Sequence, residues 1–211
     1  MKALVLSGGN PPPYDLIKEE IRKCNILISA DSGANILYEY RIKPNVMLGD
    51  FDSIDEKILK YYENENVTIE KFPAEKDFTD SYGALEKAVE LGAKEIGFLG
   101  CTGSRIDHML GNIGLLLTCL ELGVKCYIRD ENNLIRLVDE PITIEKEGYT
   151  YFSLIGYGGG VKGITITGAK YPLKDYNLRL GESLGVSNEI LEDSATIDFR
   201  EGLLLVIQSK D

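Results

Sequence analysis

Six aspartates follow short apolar runs in the first half of this 211-residue chain: Asp31, Asp50, Asp52, Asp77, Asp80 and Asp107. Carboxylates gathered at one place repel each other and raise each other's pKa unless a cation neutralises them. Asp50 and Asp52 lie two residues apart in Leu48-Gly49-Asp50-Phe51-Asp52-Ser53, so on an extended segment both point to one side and can share a metal. The only histidine is His108, which excludes a multi-histidine zinc site. Oxygen ligands without imidazole suit Mg²⁺, which pairs one or two carboxylates with substrate phosphates. Each acid also has a plain reading as a helix cap. Ser53 with Glu56 forms a potential capping box beside Asp52, Asp77 could cap a helix whose third residue is Asp80, and Asp107 could cap one starting at His108. All six together favour the metal and phosphate chemistry.

Glycine-rich loops supply the complementary half. Ser7-Gly8-Gly9, Ser32-Gly33 and Gly100-Cys101-Thr102-Gly103-Ser104-Arg105 all follow apolar runs. Small residues there let backbone N–H groups approach phosphate oxygens, aided by a following helix N-terminus. Arg105 and Lys76 are the cations suited to a polyphosphate. No G-x-x-x-x-G-K-[ST] pattern occurs, which argues against a Walker-type enzyme. The one G-x-G-x-x-G, at Gly158–Gly163, lies among the short alternating strands of the second half and not between a strand and a helix, so a nicotinamide dehydrogenase is unsupported. His108 reads as a hydrogen-bonding residue, and Cys101 lacks the basic surroundings of a reactive thiol.

The elements that must carry these residues change character along the chain. Residues 1–130 alternate strand-like runs (Ala3–Leu6, Ile26–Ala30, Val46–Leu48, Val67–Glu70, Glu95–Leu99, Lys125–Arg129) with amphipathic helical stretches (Tyr14–Lys23, Gly33–Tyr40, Asp55–Glu63, Ser81–Leu91, Met109–Leu122). That rhythm predicts a largely parallel sheet with helices on both faces, its ligand crevice at the carboxyl ends of the strands where the six aspartates fall. From 131 to 211 the pattern becomes short alternating strands. Ile142–Glu145 and Tyr149–Ile155 flank Lys146-Glu147-Gly148 as a hairpin, Gly163–Thr167 alternates, and Thr196–Phe199 and Leu203–Gln208 flank Arg200-Glu201-Gly202 as a second hairpin. A small sandwich or barrel is expected there, with a turn within Glu182–Leu191.

Composition narrows the class further. Hydrophobic residues make up 44% and charged residues 27%, ordinary globular usage and unlike collagenous, disordered or disulfide-scaffold chains. The net charge of −11, divided almost evenly between the two halves, argues against general nucleic-acid binding. No signal-peptide core or membrane span is read. The four cysteines lack a C-x-x-C pair and read as reduced thiols in a cytoplasmic protein.

Five motifs occur in order: Asp31-Ser32-Gly33-Ala34-Asn35, Gly49-Asp50-Phe51-Asp52-Ser53-Ile54, Lys76-Asp77-x-Thr79-Asp80, Gly103-Ser104-Arg105-x-Asp107-His108 and Ser187-Asn188-Glu189. On them the chain resembles the thiamine pyrophosphokinase (thiamine diphosphokinase) family over essentially its whole length. The resemblance implies a Rossmann-like α/β domain at 1–130 that binds ATP and a β-sandwich at 131–211 that binds thiamine. It implies a homodimer whose thiamine sites are shared between subunits. The reaction it implies moves the terminal diphosphate of ATP to the thiamine hydroxyl, releasing AMP. Asp50, Asp52 and Asp80 would then hold Mg²⁺ and, with Arg105, form the catalytic set. Asp31, Ser32, Gly33, Lys76, Asp77, Thr102, Gly103, Arg105 and Asp107 would position the nucleotide, and Ser187 and Asn188 would contact thiamine. Two departures stand out. Ser32-Gly33 replaces a frequent Gly-Gly pair, and there is no tryptophan to stack on thiamine, leaving Tyr171 or Tyr176 as candidates. Two alternatives remain from the residues themselves: a Mg²⁺-dependent nucleotide-sugar glycosyltransferase using Asp50-x-Asp52, and a nucleotide- or thiamine-binding protein without turnover.

Overall fold

The computed structural model describes residues 1–73 and 75–211, which divide into two compact units, Met1–Glu131 and Asn132–Asp211. In the first unit six strands and five helices alternate: β1 (Lys2–Leu6), α1 (Tyr14–Lys23), β2 (Ile26–Ala30), α2 (Gly33–Glu39), β3 (Val46–Gly49), α3 (Glu56–Asn64), β4 (Thr68–Lys71), α4 (Asp80–Glu90), β5 (Glu95–Leu99), α5 (Ile106–Glu121) and β6 (Lys125–Arg129). The strands pair in parallel in the order β4-β3-β2-β1-β5-β6. Winding runs outward from β1 to β4, then resumes on the other side with β5. The order therefore reverses between β1 and β5, and a crevice opens beyond the carboxyl ends at such a point.

Strand periodicity divides the core. Leu4, Leu6, Leu27, Met47 and Leu99 pack with Ile17 of α1, Ile36 and Leu37 of α2, and Ile58 and Tyr62 of α3. Alternate residues Ala3, Val5 and Ile28 are equally buried and serve the opposite face, where α4 lies along β1, β2 and β3 and α5 along β6.

A buried carboxylate breaks the apolar pattern. Glu20 sits on the inner face of α1 at 2% exposure, receiving Arg129 Nη1 at 2.5 Å and the Tyr127 hydroxyl, with Lys23 Nζ at 3.2 Å. Burial opposes its charge, yet Tyr127, Arg129 and Lys23 hold its pKa below the ordinary value. Neighbouring Glu19 is brought down to about 2, chiefly by Arg129 and then Lys23. Removing one partner of a buried pair leaves an uncompensated charge. Arg129→Met is therefore expected to destabilise the protein by about 2–3 kcal/mol, the remaining partners moderating the loss. Urea titration measures this. Because both carboxyl pKa values are depressed, their stabilisation is complete above the unfolded value of about 4.3. For Glu19 it is lost as pH falls from there toward about 2. The variant should lose stability less steeply across that window.

The second unit contains β7 (Asn133–Val138), β8 (Ile142–Glu145), β9 (Tyr151–Thr167), β10 (Leu173–Leu178), β11 (Ser194–Asp198) and β12 (Glu201–Ser209), all paired antiparallel. Neither expected hairpin is present. The turn at Lys146-Glu147-Gly148 exists, with Tyr149 N–H donating to the Lys146 carbonyl. However, β8 pairs with β11 and the strand after the turn pairs with β12. The Arg200-Glu201-Gly202 segment is a link rather than a reversal: β11 and β12 run in succession along the same edge of β9. Within the β9–β12 pairing Gly158, Gly159 and Gly160 drop out of the ladder, because Gly202 opposes Val161 and Leu203 opposes Tyr157. This bulge lets the 17-residue β9 bend. The unit closes on Phe152, Leu154, Val161, Ile164, Ile197, Leu204 and Val206.

Candidate active site

A cleft of about 1050 Å³ opens at the carboxyl ends of β1, β2 and β5 and the first turns of α4 and α5. Its floor depends on close backbone packing. After β1, Gly9 N–H donates to the Gly100 carbonyl at 2.7 Å and Asn10 N–H to the Thr102 carbonyl at 2.7 Å, tying the first glycine loop to the third. A side chain at Gly33 would meet the Leu6 carbonyl at 2.1 Å, so α2 can start against β1 only from glycine. Gly100 has φ +66° and its Cβ position lies 2.2 Å from the Ser7 carbonyl.

Asp31, Ser32, Asp77, Asp80, Thr102, Gly103, Arg105 and Asp107 line this cleft. Gly33 lies behind Ser32, buried against β1. Asp50, Asp52 and Lys76 are not part of the lining but connect to it through two of the acids that are. Asp31, Asp50 and Asp52 each place a carboxylate oxygen within 4.8 Å of the others. Lys76 Nζ stands 3.5 Å from Asp50 Oδ2 and 3.1 Å from Asp80 Oδ1. Ser187 and Asn188 belong to the second unit, Ser187 exposed and Asn188 buried.

Local backbone sets the acid group. Asp31 (φ +44°) and Phe51 (φ +62°) both occupy the left-handed region, which is costly for residues other than glycine. Phe51 is 8% exposed and packs in the core of the first unit, so its burial helps hold the turn that keeps Asp50 and Asp52 together. Ser53 Oγ donates to Asp31 Oδ2 at 2.7 Å, and Asn35 Nδ2 donates to the Ser53 carbonyl at 3.4 Å. The plain capping readings do not hold. Asp55 caps α3 through Lys57 N–H, Thr79 caps α4 through Tyr82 N–H, and α5 starts after Arg105 with Asp107 already in its first turn. Asp31, Asp50, Asp52, Asp77 and Asp107 cap none of these helices.

The electrostatics follow the geometry. Asp50 is held below the ordinary carboxylate range, first by the Asp52 backbone N–H. Asp52 is raised, first by its hydrogen bond with Asp50 and then by that group's negative charge. Asp80 is raised by burial, against the pull of Lys76. Burial disfavours the Lys76 charge, but Asp80 and Asp50 outweigh it and raise its pKa. Asp107 is brought down to about 2 by Arg105, whose Nη2 lies 2.5 Å away. Asp31 Oδ1 and Asn35 Oδ1 are buried acceptor atoms with no hydrogen-bond partner among the described residues. Mg²⁺ takes oxygen ligands at about 2.1 Å, so opposite ligands lie about 4.2 Å apart. The all-oxygen set Asp31, Asp50 and Asp52, with ligand atoms within 4.8 Å of one another, suits that ion.

Some side-chain contacts that shape the cleft were not part of the sequence reading. Ser7 and Ser81 hydrogen bond through their hydroxyls at 2.9 Å, joining β1 to α4. Asn112 Nδ2 donates to the Cys101 carbonyl at 2.9 Å and steadies the third glycine loop. Asn112 follows Arg105 by two helical turns, a spacing that puts it on the same face of α5. The Cys101 thiol is buried and pushed up to about 11 by that burial, which makes it inert as a nucleophile.

Comparison with known proteins addresses both units. Residues 17–128 match the family model described as thiamin pyrophosphokinase, catalytic domain, and residues 141–204 match the thiamin pyrophosphokinase vitamin B1 binding domain. Thiamine pyrophosphokinase of Bacillus subtilis is 37% identical over 186 residues, covering 87% of each chain. The crystal structure of the Bacillus subtilis protein superposes with a TM-score of 0.90 at 32% identity, covering 100% of both chains. That of thiamin pyrophosphokinase from Geobacillus thermodenitrificans gives 0.86 at 33% identity, covering 100% of this chain and 98% of the other. A cleft at the sheet's switch point, an acid cluster at its edge and these two matched domains lead to one conclusion: the chain belongs to the thiamine pyrophosphokinase family.

Proposed function

We propose that this protein transfers the terminal diphosphate of ATP to the hydroxyl of thiamine, giving thiamine diphosphate and AMP. The observation that carries the proposal is the Asp31, Asp50 and Asp52 group standing beside a glycine-floored cleft large enough for a nucleotide. The parallel strand order supports reading the first unit as a Rossmann-like ATP-binding domain. The bent antiparallel ladders around one core support a thiamine-binding β-sandwich in the second.

Asp31, Asp50 and Asp52 would hold Mg²⁺, with Asp80 joining through the position Lys76 fills. Magnesium bound there would offset polyphosphate charge and polarise the phosphoryl group under attack. Arg105, exposed on the cleft wall, offers a forked donor to phosphate oxygens, with Asp107 fixing its direction. The β1 glycine loop and the first turns of α4 and α5 present backbone N–H groups on the same cleft. Asp80, on the cleft wall, and Asp52, exposed beside it, are the carboxylates placed to accept the thiamine hydroxyl proton. In the second unit, Ser187 presents an exposed residue for thiamine and Tyr171 an exposed ring. Thiamine is a cation, and the acidic chain favours its approach.

A homodimer with shared sites is supported by the exposed apolar residues Leu180, Leu184, Val186 and Leu191, and by Ile106 and Leu110 on α5. Free thiols at Cys24, Cys101, Cys119 and Cys126 support a cytoplasmic location. The nucleotide-sugar transferase and the non-catalytic binding readings are not favoured, since neither accounts for both matched domains.

Purified protein incubated with ATP, Mg²⁺ and thiamine should release AMP in step with thiamine diphosphate, resolved by chromatography. ADP with thiamine monophosphate would overturn the diphosphate-transfer chemistry.

A further inference from the structure

The Ser187-Asn188 pair divides its labour in a way the motif does not disclose. Ser187 is exposed, but Asn188 is 4% exposed and already engaged. Its Oδ1 accepts the Tyr171 N–H at 3.0 Å and the Glu189 N–H at 2.9 Å, and its Nδ2 donates to the Tyr171 carbonyl at 2.8 Å. The main chain of Asn188 exchanges two 2.8 Å hydrogen bonds with Phe152 at the start of β9. Both carboxamide acceptor sites and one of two donors are therefore used inside the chain.

The surrounding ladder explains why. The segment at 185–191 lies along the start of β9 on one side and along 168–170 on the other. Gly185 accepts from Leu154, Lys170 N–H donates to the Glu189 carbonyl and Leu191 N–H donates to the Gly168 carbonyl. At Tyr171 the backbone pairing stops. There the Asn188 carboxamide takes the place of a peptide group, binding both the N–H and the C=O of Tyr171. One residue earlier, Ser187 is held at φ +59°, with its N–H donating to Ser153 Oγ at 3.1 Å. A left-handed serine costs about 1–2 kcal/mol, and the bonds on either side of it maintain that conformation.

We propose that Asn188 is a positioning residue: it does not bind thiamine but fixes the exposed Tyr171 ring and the left-handed Ser187 in the geometry that does. This rests on the reading of the second unit as thiamine-binding. Substrate positioning of this kind acts on the site whose geometry it sets, and displacements of about 1 Å can cost about a hundredfold.

The test is steady-state kinetics on Asn188→Ala and the isosteric Asn188→Asp, which keeps volume but replaces the donor to the Tyr171 carbonyl with an acceptor. Both should raise KM for thiamine by about tenfold or more, with KM for ATP and kcat at saturating thiamine moving about twofold or less. The effect of Asn188→Ala should shrink severalfold in a Tyr171→Ala background, leaving only the part exerted through Ser187, because the ring it positions is then gone. Additive effects would show that Asn188 contributes independently and overturn the proposal. So would an unchanged thiamine KM with activity lost in proportion to folded protein, the mark of a purely structural role. If Asn188→Ala does not fold, Asn188→Asp alone, with and without Tyr171→Ala, decides the question. Failure of the wild type to saturate with thiamine would instead remove the functional reading beneath it.

Discussion

Asp52→Asn should lower thiamine diphosphate formation by about a thousandfold or more, while the melting temperature of the metal-free protein stays at or above that of the wild type. The two halves of this result have one cause. Asp52 is an exposed side chain, so little packing depends on it. Its carboxyl is raised by Asp50, with smaller repulsion from Asp31 and Asp80, so its charge opposes the folded arrangement. Asparagine removes that repulsion at nearly constant shape. The same substitution deletes one of three carboxylates able to meet at a single cation. Changes one shell further out already cost about 10–100-fold in metal sites, and loss of a ligand at a reaction that neutralises polyphosphate charge should cost more. AMP release measured beside thermal melting checks both halves. Near-wild-type turnover would remove Asp52 from the metal set, and a lower melting temperature would mark it as a structural acid. Such opposed effects on stability and activity are expected where function concentrates like charges.

How much of this was legible beforehand depends on which physical rule governed each feature. The bounds of β2 and β5 match their runs to the residue, because strands inside a parallel sheet are buried on both faces. Those of β6 match as well, although only Ile128 of that strand is buried. β10 was missed. Only Leu178 of its Leu-Lys-Asp-Tyr-Asn-Leu sequence is buried and its register against β9 shifts twice, so neither burial nor alternation marks it. β7 went unnoticed between the two halves. Both hairpins failed because alternation identifies a strand but not its partner. Gly202 signalled a turn, whereas its φ of +116° serves a close approach to Gly160 across the ladder. The acids were readable as a group because each follows a strand, and the topology brings those ends together. Their grouping was not readable. Asp31 rather than Asp80 completes the trio of adjacent oxygens, and that follows from left-handed backbone at Asp31 and Phe51, which residue type does not announce. Asn188 shows the same limit, since burial and not motif membership separates its role from that of Ser187.

The second large effect concerns Lys76, whose ammonium is nearly buried, with a side-chain exposure of 8%, between Asp50 and Asp80. In metal-free protein it is the counter-cation of the cluster, backed by the Phe72 ring 5.8 Å away. Lys76→Met should therefore destabilise the metal-free protein by about 2 kcal/mol, because two partly buried carboxylates lose a shared partner. It should also bind Mn²⁺, a paramagnetic substitute for Mg²⁺, more tightly in the absence of nucleotide, since lysine no longer competes for the Asp50 and Asp80 oxygens. Turnover should nevertheless fall by about a hundredfold or more, because a charged donor to the polyphosphate is gone. Tighter metal binding together with slower turnover is a combination that general damage to the site does not produce. Electron paramagnetic resonance titration of Mn²⁺, urea unfolding and AMP release read the three effects separately. Weaker Mn²⁺ binding in the variant would show that Lys76 organises the acids for the ion instead of holding its place.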